Sequence, residues 1–476
     1  MTAPTTVVGD SQMTSTTPTQ VSGIFPHLAQ VAELGPPRSE IGVGALMPWA
    51  GVLYVQNYNS HKEASGRGVS LRRIGPDLSM EVVPETFGVD GTYTNRFIHY
   101  PSNMLVIGPH VIDTEHRIRT VPELQPLRVC GTTRHLTDPE NLVYVLCMEG
   151  ELFELNVHTL ECRQVFDLNT ELDTAGERGK IHYKDCYTSF GRLVVCSNEY
   201  HEADWAGEQA EGRLAEFDGT EWRILERKPF TSISGRHEFG GTIFATGWDQ
   251  ASAILKVYTE SDDTWTTYRL PKASHCFDHK WQTEWPRIRE VEHERLLMDH
   301  HGMFYELSPW AYGGRIWGVR PVSTHLSALA DFCSWRGMLV LGGDNASPSH
   351  GLNPTTAEPQ SGLWFGKTDD LWSFGKPSGW GGPWWLSPVE ADAPSDPYLM
   401  TGFDKKSLHI ENQGERTANF RLEVDFHGHG RFVEYTTLTV DAGKAVHHAF
   451  PYGFGAHWIR LVSDVDTQAS AQFFYN

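Results

Sequence analysis

The chain has 476 residues, 39% of them hydrophobic and 12% aromatic, with 45 Gly and 27 Pro, so it can build a large core with many turns. A net charge of −21 argues against the basic face that nucleic-acid binding needs, and no apolar run is long enough to span a bilayer. The 7 Cys are scattered without CxxC pairs, an odd count that argues against a complete disulfide framework.

The first stretch, residues 1–22, is rich in Thr, Ser and Pro and reads as a disordered lead-in. It has neither a basic start nor an apolar h-region, so a cytoplasmic protein is the expectation, with secretion open if the N-terminus is incomplete. From there a pattern recurs, a hydrophobic strand-like run that breaks off into polar or glycine-bearing residues. It reads GVLYVQNYNSH (Gly51–His61), NMLVIGPH (Asn103–His110), NLVYVLCMEG (Asn141–Gly150) and GRLVVCSNEY (Gly191–Tyr200). It returns as GTIFATGWD (Gly241–Asp249), ERLLMDHHG (Glu294–Gly302) and GMLVLGGDN (Gly337–Asn345). The spacing of roughly 40 to 50 residues is that of a four-stranded propeller blade. Seven copies predict an all-β chain with a seven-bladed β-propeller over residues 23–388, its ring closed by an early strand near Ile24–Leu34. Hairpin patterns at Gly212–Leu225 and Ala253–Leu270 supply outer strands. The Pro/Asp/Ser-rich segment Ser387–Pro397 reads as a linker, and the short strand-like runs beyond it predict a β-sandwich-like module over residues 389–476.

In a propeller, loops entering the inner strands and loops leaving the second strands share one face. The first set offers Asn95 and Arg96, Arg134 and His135, His182 and Lys184, Arg236 and His237, Trp285 and Arg287, and His325. The second offers Asn57 and His61, His110, Glu149, Glu199 and Tyr200, Trp248 and Asp249, and His300 and His301. Each His taken alone is more often structural than catalytic. Their convergence with Arg and Asn predicts a site for a carboxylate, held by charge-assisted bonds. Trp248, Trp281 and Trp285 offer surfaces for sugar rings, or else pack between blades. A uronate-containing oligosaccharide or polysaccharide fits both features. On such a sugar, His135, His182 and Tyr200 are candidates for proton transfer. Arg96, Arg134 and Arg287 are candidates for the carboxylate clamp, with Asn57, His61, Asn95, Trp248, His275, Trp285 and His301 lining the substrate. Paired carboxylates among Glu149, Glu199, Glu284 and Asp249 keep hydrolysis open. His275 and His279, or Asp299-His300-His301, could bind a structural divalent metal, although no cofactor is required and no metal ligand set is assigned. A monomer is expected, with neither nucleic acid nor a membrane as partner.

Four segments, ATGWDQASAILKV, YRLPKASHCFDHKWQTEWPRIREV, LLMDHHGMFYEL and HAFPYGFGAHWIRLVSD, resemble bacterial and fungal carbohydrate-active propellers. The resemblance points to the rhamnose–α-1,4–glucuronate lyases that trim gum arabic and arabinogalactan, and beyond them to ulvan lyases and a propeller rhamnosidase family. It implies a polysaccharide lyase that removes terminal rhamnose from glucuronate by β-elimination, using His and Tyr for proton transfer. A glycoside hydrolase releasing rhamnose and a non-catalytic glycan-binding propeller are the alternatives, because a fold alone does not fix a function.

Overall fold

The computed structural model describes residues 40–59, 71–86, 94–175, 181–199, 212–236, 242–274, 287–293, 295–311, 315–316, 318–325, 327–346 and 361–476. His61, Tyr200, His275 and Trp285 lie outside them, as do His237, Glu284 and the closing strand expected near Ile24–Leu34, and Asn57 is described only by its backbone.

Up to residue 366 the chain is a series of antiparallel meanders of the propeller type. Four-stranded sheets begin at Glu40–Trp49, Arg96–His99, Val129–Arg134, Ile181–Ser189, Phe230–Gly235 and Arg287–Glu292, and a three-stranded unit begins at Ala328–Trp335. The repeated sequence motif is the second strand of each unit. That strand is covered by neighbouring units on both faces, so it is apolar throughout, as in Leu142–Cys147 and Ile243–Trp248, whose side chains are almost all buried. Two-residue turns such as Ala50-Gly51, Phe190-Gly191 and Arg336-Gly337 link first to second strands with both residues at positive φ. That backbone suits the right-handed twist of a hairpin, and the glycine makes it cheap.

The first strands of successive units approach one another side by side, from Glu40–Trp49 through each later unit to Ala328–Trp335 and back. They do not pair by a backbone ladder, so their N–H groups need other acceptors. Bulges supply the geometry. Register shifts fall between Val43 and Ala45, Tyr183 and Asp185, Phe230 and Ser232, and Leu329 and Asp331. Just past the bulge, Asp185 Oδ2 accepts from the Ile233 N–H at 2.9 Å, and Asp331 Oδ2 accepts from the Leu46 N–H at 2.8 Å. Thr133 Oγ1 does the same for Thr188 at 2.9 Å. The first and last units are also joined by backbone pairing, Glu40–Gly42 against Asp344–Ala346.

The expected boundary at 388 falls inside the strand Gly379–Val389, which pairs with the last strand, Thr467–Tyr475. These two, with Lys406–Asn412 and Lys444–Ala449, make one C-terminal sheet. A second, Tyr398–Leu399, Trp458–Ser463, Ala418–Asp425 and Val433–Val440, continues the sheet of Phe230–Gly235 through a parallel contact between Arg269 and Tyr398. Nor is the Pro-rich segment a free linker: Ala391 and Pro394 bridge to Ser463 and Val462. One apolar cluster runs from Leu255 and Met298 of the meanders through Tyr398 to Ile410, Phe420 and Phe473.

The fold predicts a cost for cutting the carboxylate ties. Asp331 is fully buried and meets Arg96 Nε at 2.8 Å and Arg289 Nε at 2.7 Å. Asp331→Ala leaves two partly buried guanidiniums without their shared carboxylate and should cost about 3 kcal/mol, read as a lower denaturation midpoint. Arg73→Ala, whose partner Glu81 is exposed, should cost less than about 1 kcal/mol by the same measurement.

Candidate functional site

The inner strands enclose a cavity of about 280 Å3. Its lining holds six basic side chains, Arg96, Arg134, Lys184, Arg236, Arg287 and Arg289, against two acidic ones, Asp185 and Glu290. In a chain of net charge −21 this is a local reversal of sign. Tyr100 and Tyr187 also line the cavity. Gly235 makes room for the Tyr187 side chain, because a Cβ there would stand 3.0 Å from its hydroxyl.

Most of the cations are already engaged. Arg96 and Arg289 share Asp331. Arg287 donates to the carbonyls of Ala330 and Thr231, at 3.0 and 3.3 Å. Arg236 meets Glu290 at 3.3 Å. Arg134 has no hydrogen-bonding or ionic partner for its side chain among the described residues, and it is only half-buried. Burial pushes the Asp185 carboxyl above its ordinary range, against the pull of Arg289, Arg287 and two backbone N–H groups. Burial would also raise Asp331, but Arg96 and Arg289 hold it below the ordinary range.

Of the residues predicted from sequence, Asn95, Arg96, Arg134, Lys184, Arg236 and Arg287 are brought to this cavity. The proton-transfer candidates are not brought together. His182 is the second residue of its inner strand, and His135 follows the last residue of another, so they stand at opposite ends of strands that run side by side. Both His135 nitrogens are occupied: Nδ1 accepts from the Asp138 N–H at 3.0 Å, and Nε2 meets Glu154 at 2.9 Å. His182 Nε2 lies 3.2 Å from Arg128, which is paired with Glu149. The Asn95 amide nitrogen donates to the Gly108 carbonyl and Thr132 Oγ1, while its buried Oδ1 has no hydrogen-bond partner among the described residues.

The expectation of an exposed sugar platform at Trp248 is corrected. That residue is 7% exposed and packs edge-on to the His301 ring, with centroids 5.6 Å apart. His301 is itself a turn residue at φ 50, followed by Gly302, and is 1% exposed. Its polar neighbours are also structural, because Asp299 pairs with His325 at 2.8 Å and His300 faces the Ile254 carbonyl at 3.3 Å. No group of three or more His, Cys, Asp or Glu among the described residues is arranged to hold a metal.

Sequence reading missed Asp185, Asp331, Arg289, Tyr100 and Tyr187. The signal was there for three of them: charged residues set inside inner-strand runs, IHYKDCYTS, RIREVE and ALADFCSW.

No protein-family model matches the chain, and no curated protein matches it. Among solved structures it is similar to a Dos1 propeller at 10% identity, covering 66% of this chain and 94% of that one, with a TM-score of 0.38. It is similar to U3-55K at 9% identity, covering 70% and 99%, with a TM-score of 0.39. A luciferin-regenerating enzyme matches at 10% identity, covering 71% and 93%, with a TM-score of 0.35. No helix among the described residues is long and apolar enough to cross a membrane.

The buried histidines predict a pH dependence of stability. Burial lowers His110 and His300 from 6.5 to about 4. Each stays neutral in the fold while its unfolded counterpart takes up a proton, so their contribution is complete above pH 6.5 and is lost as the pH falls toward 4. His110→Gln should flatten that part of a plot of denaturation midpoint against pH.

Proposed function

We propose that this chain is a seven-bladed β-propeller whose channel binds the carboxylate of a uronate-containing glycan and cleaves the adjoining bond by β-elimination. The observation that carries this reading is the half-buried, unpaired Arg134 in a cavity lined by six cations and two acids. Closure into seven blades is supported by the order in which the inner strands meet and by the pairing of Glu40–Gly42 with Asp344–Ala346.

A carboxylate entering the cavity replaces water on Arg134 and meets the edge of the Arg236–Glu290 pair. Neutralising that carboxylate acidifies the C5 proton of the uronate. A base takes this proton, the C4–O4 bond breaks, and O4 leaves with a proton as the hydroxyl of the departing sugar, rhamnose in the substrate class proposed here. The remaining uronate carries the new double bond between C4 and C5. Tyr187 and Tyr100 take the proton-transfer roles expected of His135 and His182, because they line the cavity and those histidines do not. Elimination is favoured over hydrolysis by the lining itself. Its acids among the described residues are Asp185, held by the Ile233 N–H, and Glu290, held by Arg236, so the described lining offers no uncommitted pair of carboxylates to flank a glycosidic bond. The reaction as drawn requires no cofactor.

The test is to incubate the protein with a rhamnose-capped glucuronate oligosaccharide and to follow ultraviolet absorbance and free rhamnose together. Both rising is the expected result, rhamnose alone would establish hydrolysis, and neither would overturn the substrate class. Arg134→Ala should lower kcat/KM by about ten- to a hundredfold, and Tyr187→Phe should lower kcat by about a hundredfold or more with the fold intact.

A further inference from the structure

The outward face of the C-terminal sheet carries a second concavity, of about 890 Å3, remote in sequence from the channel strands and lined chiefly by the C-terminal module. Its floor follows from the sheet register. Ala449 pairs with Ser407, Ser407 with Phe474, and Phe474 with Trp380, so one row crosses four strands. In the last strand Phe473 and Tyr475 turn inward and are 0% and 4% exposed, which turns Phe474 outward at 50%. The small side chains of Ser407 and Ala449 leave its ring uncovered on one side. Tyr452, on the turn after Lys444–Ala449, stands 76% exposed at the rim.

A sheet face meant only for packing would hide such rings, and one meant only for water would not present three aromatic residues in one concavity. Flat rings bordered by polar groups suit a pyranose, whose C–H face stacks while its hydroxyls stay wet. The charge at the rim narrows the ligand class. Lys405 makes no ion pair among the described residues, and the acid beside it, Asp404, is taken by Lys376 at 2.8 Å. The neighbouring Lys406 ammonium is turned inward onto the carbonyls of Phe403 and Phe454. One cation without an ion pair among the described residues, beside exposed rings, complements a sugar acid.

We propose that this groove is a second glycan-binding site, which seats pyranose rings on Phe474, Tyr452 and Trp380 and meets a uronate carboxylate with Lys405. It shares a ligand class with the reading of the channel but rests on none of the same residues.

The experiment is calorimetric titration of the full chain with a glucuronate tetrasaccharide, alongside its methyl ester. The variants are the Phe474→Ala/Tyr452→Ala pair, Lys405→Ala, Phe474→Tyr, and Arg134→Ala in the channel. The aromatic pair is solvent-exposed, so the double variant should fold, and an unchanged circular dichroism spectrum checks this. The expected result is a class of sites that survives Arg134→Ala, weakens about tenfold or more in the double variant, and is retained in Phe474→Tyr. Lys405→Ala should weaken the tetrasaccharide but not its ester. Binding that the double variant leaves unchanged would overturn the proposal, as would no binding by the Arg134→Ala chain. Loss confined to Arg134→Ala would place all binding in the channel. If only the aromatic variants lose affinity, the reading of the channel fails and this one stands.

Discussion

The inner strands of this protein hold together through side-chain carboxylates rather than through a ladder. Inner strands packed side by side, without a backbone ladder between them, leave N–H groups facing a neighbour that has no carbonyl to offer. Asp331 and Asp185 meet that need at equivalent places, each one residue past a bulge and each reaching the backbone of the following unit. A carboxylate buried for this purpose has to be charge-balanced, and Arg96 and Arg289 provide the balance at Asp331. Much of the positive lining of the cavity is therefore a consequence of how adjacent sheets are joined.

That origin separates two populations of cations. Arg96, Arg287 and Arg289 serve the scaffold, and moving any of them opens a gap between units. Arg134 has no side-chain partner among the described residues.

The repeat was legible because a strand covered on both faces must be apolar over its whole length, and seven such runs at regular spacing are the mark of sheets stacked one on the next. The C-terminal strands were legible for the opposite reason: Lys406–Asn412 alternates buried and half-buried residues with period two. The site was less legible. His301 and Trp248 sat where a polar break in the motif suggested a binding loop, yet one makes a tight turn and the other packs against it. His135 was misjudged because sequence alone does not say whether a residue next to a strand precedes it or follows it. The same ambiguity put Arg134 on the expected list by way of the wrong end of its strand. Asp185 and Asp331 were passed over because an acid inside an apolar run reads as an interruption, and the N–H it serves lies 48 or 285 positions away in sequence.

The pairing of Glu40–Gly42 with Asp344–Ala346 has a consequence for how the molecule comes into being. During synthesis the strand Glu40–Trp49 is made long before its partner Met338–Ala346, and until then it offers an unsatisfied edge to any chain nearby. The intervening units can assemble on one another as they appear, but the first and last units are joined only when residue 345 reaches residue 41. Closure is thus a late, long-range event on an already folded arc, slow for the reason that all high-contact-order steps are slow. An arc that fails to close can find the same strand in a second copy, which makes exchange of the first strand between molecules the characteristic hazard of this architecture.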